Sequence, residues 1–415
     1  MLALLPALLF SSFVPGWAPP AALAGLLVLL ALRRMATGRV IGHALADWAL
    51  LLLLLSLPLG LLVSRDPAVS LPRAYAFVAN LAVFCAAAAQ RDAPWLRRSG
   101  WLLLLAGLVL GGVFLLGTRF GSDKLPFINR EIYSVLPGGL RPFWNPEGFN
   151  ANLSGGVLAL FWAPAVALAW KGTSWQQRDA AKLVAIALSL LLLLTQSRGA
   201  LLGCLAALVV MTLVHSRRWL PLWLIVLLLV AVLAYQVGPG PLLESVLGHS
   251  DVFGDRSLQS RQELWQRAMD LMREQPLTGV GLGMVKEALV ARYPSQVIRP
   301  DSNFKHAHNL YLQIGAEMGL AGLLAHLALY AILLTLLVRR ALEGHGEQRE
   351  AGAGYQAALA LGLLGSLVVF LTHGFFEVIT YAPRAAVVVW ALFGLMVAVA
   401  GQAQGRAPTD RDAAG

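Results

Sequence analysis

The chain has 415 residues, of which 58% are hydrophobic and 13% charged, with a formal net charge of +10. A soluble domain carries roughly 25% charged residues, so the composition excludes a soluble globular enzyme and describes an integral membrane protein. The excess of basic residues fits membrane topology rather than nucleic acid, because it is concentrated in short loops between apolar runs.

A helical span needs about 20 apolar residues. Twelve runs of that kind are expected, at about 2–17, 19–33, 41–62, 68–90, 99–117, 151–170, 181–197, 199–215, 219–237, 309–338, 353–376 and 383–401. The expected fold is therefore an all-α integral membrane protein, one polytopic domain over residues 1–415. A partly helical loop, 238–307, is inserted between spans nine and ten. The opening MLALLPALLFSSFVPGWAPP has no basic start and leads into a second apolar run, so it reads as a span and not as a cleaved signal.

Basic loops recur at alternate connections: RRMATGR, RDAPWLRR, KGTSWQQRDAAK, HSRRW, RRALEGHGEQRE and the tail GRAPTDRD. The positive-inside rule puts them and both termini in the cytoplasm. The long loops 118–150 and 238–307 then face outward. Long loops translocate regardless of charge, so their arginines need another role, and an anionic ligand is the direct candidate. Cys85 and Cys204 both fall inside spans and form neither a disulfide framework nor a metal motif.

In chain order, the first residue that could carry chemistry is Arg73 in LPRAYAFVANL, near the outer end of span four. Arg198 in LLLLTQSRGALLG occupies a turn so short that its guanidinium sits at the membrane boundary, where it must snorkel, pair or bind. SRQELWQRAMDLMREQP has the Ser260–Glu263 capping-box spacing and apolar residues at helical spacing, and ends at Pro276. It reads as an amphipathic helix at the membrane surface. Arg261 at its first position opposes the macrodipole, but a helix start with an arginine suits a phosphate. Gly279, Gly281 and Gly283 follow as turn residues. A dinucleotide loop would need a preceding strand.

His306, His308 and Asn309 open span ten. At 100° per residue, Gly315, Gly319 and Gly322 share the direction of His308, a small-residue face along which a neighbouring helix can dock. Asn309, Gln313 and Glu317 form an adjacent polar stripe facing the bundle interior. His308 alone fits either an interfacial ring or a general base that removes a proton from a hydroxyl. His306, outside the expected helix, is the weaker candidate, and His326 reads as structural. His373 and Glu377 are spaced i, i+4 and are expected on one helical face. A third ligand at a recognisable spacing is missing, so no metal is assigned. Phosphate-suited arginines and a hydroxyl-suited histidine on one side of the membrane describe group transfer from a lipid-linked phosphate.

HNLYLQIGAEMGLAG resembles the His-Asn, nine residues, Gly, two residues, Gly signature of the O-antigen ligase and polymerase superfamily, with His308, Asn309, Gly319 and Gly322 matching. The segment SRQELWQRAMDLMREQPLTGVGLG is similar to that family's Arg, Trp, Pro, Gly-x-Gly segment, TQSRGALLG to its Ser-Arg-Gly turn, and NPEGFNANLSGGVLAL to its Asn-rich entry to a middle span. The resemblance covers roughly residues 145–325. It implies a GT-C-type glycosyltransferase of the bacterial inner membrane, with a periplasmic active site and no metal or other cofactor. The implied donor is a glycan on undecaprenyl diphosphate, with membrane lipids as surroundings and no nucleic acid as partner; the acceptor differs between members, and for a ligase it is lipid A-core, as in lipopolysaccharide biosynthesis. His308 would activate the acceptor hydroxyl, and Arg198 and Arg261 would hold the diphosphate, with Asn309, His306, Arg73, His373 and Glu377 in support. Protein oligosaccharyltransferases of the superfamily tend to carry a further C-terminal region, not seen after GQAQGRAPTDRDAAG. An O-antigen ligase is therefore expected first, then an O-antigen polymerase or a protein oligosaccharyltransferase. Outside the enzymes, a polyprenyl-linked glycan transporter fits the span count, although no similarity between the two halves supports it.

Overall fold

The computed structural model describes residues 18–38, 44–90, 93–120, 131–136, 148–172, 174–237, 258–301, 304–343 and 353–401. The long helices are α1 (Ala18–Thr37), α2 (Ala44–Leu62), α3 (Pro67–Ala88), α4 (Ala93–Gly117), then α6 (Ala151–Lys171) after a short α5 (Ile132–Val135). They continue with α7 (Trp175–Thr195), α8 (Arg198–His215), α9 (Leu220–Val237), α10 (Leu258–Glu274), α11 (Val285–Arg292), α12 (Leu310–Glu343), α13 (Ala353–His373) and α14 (Pro383–Ala400). Eleven of the twelve expected spans coincide with helices; the first, 2–17, lies outside the described residues. Among the described residues, seven helices are long and apolar enough to cross a membrane by length and composition. The chain is thus an all-α, multi-pass membrane protein.

Helices α6 and α13 occupy the interior and are the most deeply buried spans. Small residues let them meet: a Cβ on Gly362 would lie 2.7 Å from Pro164 Cα, and Ser366 Oγ donates to the Leu160 carbonyl at 2.6 Å. Helix α14 packs on α3 with an edge-to-face cluster of Trp390, Phe393, Phe370 and Phe84 at its core. His326 belongs to this layer, 4% exposed, with its ring against Phe77 and Trp390. The strands are β1 (Thr118–Arg119) and β2 (Phe149–Asn150), a two-residue parallel pair that ties together the ends of the long 118–150 connection.

Helix α12 is broken. Gly319 has φ +65°, ψ −169°, a conformation outside the helix. The break frees the carbonyls of Ala316 and Glu317, which accept from Val280 and Gly281 at 2.8 and 3.1 Å, while Leu320 N–H donates to Pro276 at 2.7 Å. Inside a membrane, such interruptions persist only where the freed groups find partners. The turn around Gly279, Gly281 and Gly283, all at positive φ, supplies them.

This corrects the expected glycine face. Gly315 meets Met272 of α10, Gly319 meets the Leu277–Thr278 backbone, and Gly322 meets Met318 of its own helix. The reason is the break itself, because a projection at 100° per residue does not carry across the non-helical Gly319. Helix α10 also starts at Leu258, two residues before Ser260, so Arg261 lies one turn inside it and not at its first position.

A side chain at Gly319 would need positive φ and would strike the Leu277 carbonyl. Gly319→Ala is expected to destabilise by at least about 1–3 kcal/mol, whereas Gly112→Ala, where a Cβ meets nothing within 4 Å, is expected to be neutral or stabilising. Thermal unfolding in detergent or nanodiscs checks both, and equal midpoints for the two variants would contradict the role given to the break.

Candidate active site

The N-terminus of α12 and the C-terminus of α13 complete one another's hydrogen bonding. The first N–H groups of a helix and the last carbonyls of another lack partners within their own helices. Here Leu310 N–H donates to the Gly374 carbonyl at 2.7 Å and Tyr311 OH to the Leu371 carbonyl at 2.7 Å. Asn309 is the cap: its Oδ1 accepts from Tyr311 and Leu312 at 3.0 and 3.1 Å, and its Nδ2 donates to the Phe375 carbonyl at 3.4 Å. These bonds hold segment 374–377 against segment 306–309.

Glu377 consequently reaches both histidines. Its Oε1 lies 3.2 Å from His306 Nε2, and its Oε2 lies 3.4 Å from His308 Nδ1. Oε1 also accepts the Val378 N–H at 2.9 Å. The carboxylate is 3% exposed. The two imidazoles lie 4.4 Å apart between centroids.

The tautomers follow from the donors. His306 Nδ1 accepts the backbone N–H of His308 at 3.2 Å, so its proton resides on Nε2, which faces Glu377. His308 Nδ1 faces the other carboxylate oxygen at 3.4 Å, a contact in which the carboxylate is the acceptor, and Nε2 is the ring nitrogen that does not face Glu377. His308 itself has φ +49°, a left-handed backbone that a side chain of this size adopts only under local constraint. That constraint is visible at Ala307. Trp265 Nε1 of α10 donates to its carbonyl at 3.0 Å, and Gln313 Oε1 accepts its N–H at 2.8 Å.

Burial opposes ionisation of Glu377, yet the His308 and His306 rings, the hydrogen bond that His308 makes and the charge of Arg261 together hold the carboxyl well below its usual range. Burial pushes His306 down from 6.5 to about 3, against the pull of Glu377. The centre is therefore an ionised carboxylate flanked by a neutral His306.

Ligand atoms of His306, His308 and Glu377 lie within 4.8 Å of one another, close enough to consider a metal ion. The hydrogen bonding does not suit one. An ion on His306 would need the Nε2 lone pair, whereas the His308 N–H already holds the Nδ1 lone pair and leaves the proton on Nε2.

The other expected residues divide. Arg261 lies one helical turn before Trp265, and its charge is felt at His306 and Glu377. Arg198 is the first residue of α8, and the adjacent Gly199 packs against Phe376, where a Cβ would lie 3.1 Å from its Cβ. His373 is not on one helical face with Glu377, because α13 ends at His373. Its ring, 1% exposed, is enclosed by Gly156 and Gly199. His308 and His306 both precede α12, so helical projection from His308 does not apply, and His306 is an equal partner in the cluster. Arg73 is engaged with Tyr381, donating to its carbonyl at 2.9 Å with its guanidinium carbon 4.1 Å from the ring centre. Sequence reasoning passed over Tyr381, whose signal was an aromatic residue four positions beyond Glu377.

Residues 183–327 match the family model described as O-antigen ligase. No curated protein matches the chain. A solved chain from a study of polymerization and crosslinking by a peptidoglycan synthase complex aligns with 94% of this chain and 98% of its own, at 17% identity and a TM-score of 0.38.

Between pH 6.5 and about 3 the unfolded chain protonates the His306 position and the folded chain does not, so acid favours unfolding across that window. The melting temperature is expected to fall as the pH drops below about 6.5, and His306→Asn is expected to make the decline shallower. Parallel curves for the variant and the parent would contradict a buried neutral His306.

Proposed function

We propose that the chain is an O-antigen ligase, a reading supported by the match of residues 183–327 to the family model of that name. In this reading it moves a finished glycan from undecaprenyl diphosphate to a sugar hydroxyl of lipid A-core on the periplasmic face. The observation that carries the reading is the Glu377 carboxylate set against Nδ1 of His308. A carboxylate there fixes the tautomer, and it stabilises the imidazolium that forms once Nε2 takes a proton.

The step balances on groups within the chain and its two substrates. The acceptor oxygen attacks the anomeric carbon as its proton passes to His308 Nε2. The bond from that carbon to the diphosphate oxygen breaks, and polyprenyl diphosphate leaves as the anion. Arg198 and Arg261 are assigned to that anion, where fixed cations stabilise charge that develops in the transition state. Attack opposite the leaving group inverts the anomeric configuration. Protonated His308 then returns its proton to water, with Glu377 unchanged.

Purified protein with polyprenyl-diphosphate glycan and lipid A-core in EDTA is expected to place glycan on lipid A-core with inverted configuration. His308→Ala is expected to lose at least about 10²-fold in rate, and Glu377→Gln to lower kcat with little change in donor KM. Chain growth on the polyprenyl carrier would reassign the protein as a polymerase, and transfer to a polypeptide as an oligosaccharyltransferase. Loss of transfer in EDTA or retained configuration would overturn the mechanism, and equal activity in His308→Ala would remove the base.

A further inference from the structure

We infer that Arg73 is a positioning residue that braces the histidine cluster through Tyr381, rather than a ligand of the donor phosphates. This deepens the glycan-transfer reading above and rests on it.

Arg73 sits in the second turn of α3, far in sequence from the cluster it supports. Its guanidinium is already committed on two sides. Nη1 donates to the Tyr381 carbonyl at 2.9 Å, and the planar group lies over the Tyr381 ring at 4.1 Å. The other face of the contact leads to the site: the Tyr381 ring centre is 4.9 Å from that of His306. His306 in turn holds both Glu377, through Nε2 at 3.2 Å, and the His308 backbone N–H, through Nδ1 at 3.2 Å. The chain of contact is therefore Arg73, Tyr381, His306, then both members of the His308–Glu377 pair.

The remaining neighbours of Arg73 agree with a brace. A Cβ on Gly283 would lie 3.2 Å from Arg73 Cγ. Next to it, Ser70 Oγ donates to the Leu282 carbonyl at 2.7 Å. Helix α3 thus holds the glycine turn that fills the break in α12 and the 379–381 segment that backs the histidines, with Arg73 touching both. A guanidinium serves this better than an ammonium, because one plane donates a directed hydrogen bond and stacks on a ring together.

The test uses full-length protein in nanodiscs, with Arg73→Lys, Arg73→Ala, Tyr381→Ala and Tyr381→Phe. Glycan transfer gives kcat and donor KM, and carbethoxylation of His306 by diethyl pyrocarbonate is read by mass spectrometry. Positioning predicts that Arg73→Lys and Tyr381→Ala each lower kcat about tenfold, with donor KM unchanged and the double variant no worse than either single one. Tyr381→Phe keeps the ring and the backbone carbonyl and should match the parent. His306 should become more reactive in Arg73→Lys and Tyr381→Ala. A donor KM that rises in Arg73→Ala and recovers in Arg73→Lys, with Tyr381→Ala unaffected, would overturn the inference and make Arg73 a phosphate ligand. The His306 reactivity is read without turnover. An unchanged reactivity in every folded variant overturns the brace, whereas a parent protein that labels as expected but transfers nothing overturns the glycan-transfer reading instead.

Discussion

The constraint on which the site depends is the requirement that backbone polar groups near or within a membrane find partners. Two interruptions of helical structure meet at the same end of the bundle, the junction between α12 and α13 and the break at Gly319. Each exposes donors and acceptors that water would otherwise satisfy. At the junction, the α12 start and the α13 end satisfy one another. At the break, the glycine turn supplies the missing donors. The chemistry-bearing side chains are held in place by this reciprocal capping, because Glu377 can face His306 and His308 only while Gly374 is tied to Leu310 and Phe375 to Asn309.

The charges then sort themselves by burial. Two protonated imidazoles and one carboxylate at this depth would leave a net cation poorly solvated. The backbone resolves the conflict by giving His306 Nδ1 a donor, the His308 N–H. His306 becomes a neutral spacer beside one carboxylate oxygen, and the second carboxylate oxygen remains for His308. The amphipathic helix α10 contributes on its inward face both Trp265, which fixes the Ala307 carbonyl, and Arg261, which adds positive potential. One face of one helix thus couples the shape of the histidine loop to the charge around it.

Much of the architecture was legible because it follows from apolar run length. Eleven runs became helices with ends shifted by only a few residues, apart from the larger shifts at Ala93, Trp175 and Glu343 where polar residues extend a helix beyond its apolar core. The site was legible as a list and not as an arrangement. His308, Asn309, Gln313 and Glu377 were all visible as polar residues where hydrocarbon should be. Their pairing was not, because it joins segments nearly seventy positions apart through backbone bonds that leave no side-chain pattern. The glycines misled for a related reason. A regular spacing reads as a packing face, whereas Gly319 is there for a positive φ. The partners of Arg73 were not legible either, since an arginine near the end of a span looks the same whether it faces an anion or holds a carbonyl and a ring.

In the proposed transfer, the cluster acts on one proton and the acceptor is selected elsewhere. Replacing a diphosphate by a hydroxyl at an anomeric carbon needs a base within hydrogen-bond reach of that hydroxyl, and ligase and polymerase chemistry share this need. A single imidazole nitrogen contacts one proton and carries no information about the sugar behind it. Discrimination between lipid A-core and a growing glycan must come from contacts to the rest of the acceptor, since selectivity is a difference between transition-state affinities. The surfaces able to make such contacts are those that border the histidine loop without entering the proton path. They include α10 and α11, both packed on α12. In the proposed reaction the base and the acceptor contacts would thereby fall to different parts of the chain, a fixed centre built from helix ends and a surface built from the two helices beside it.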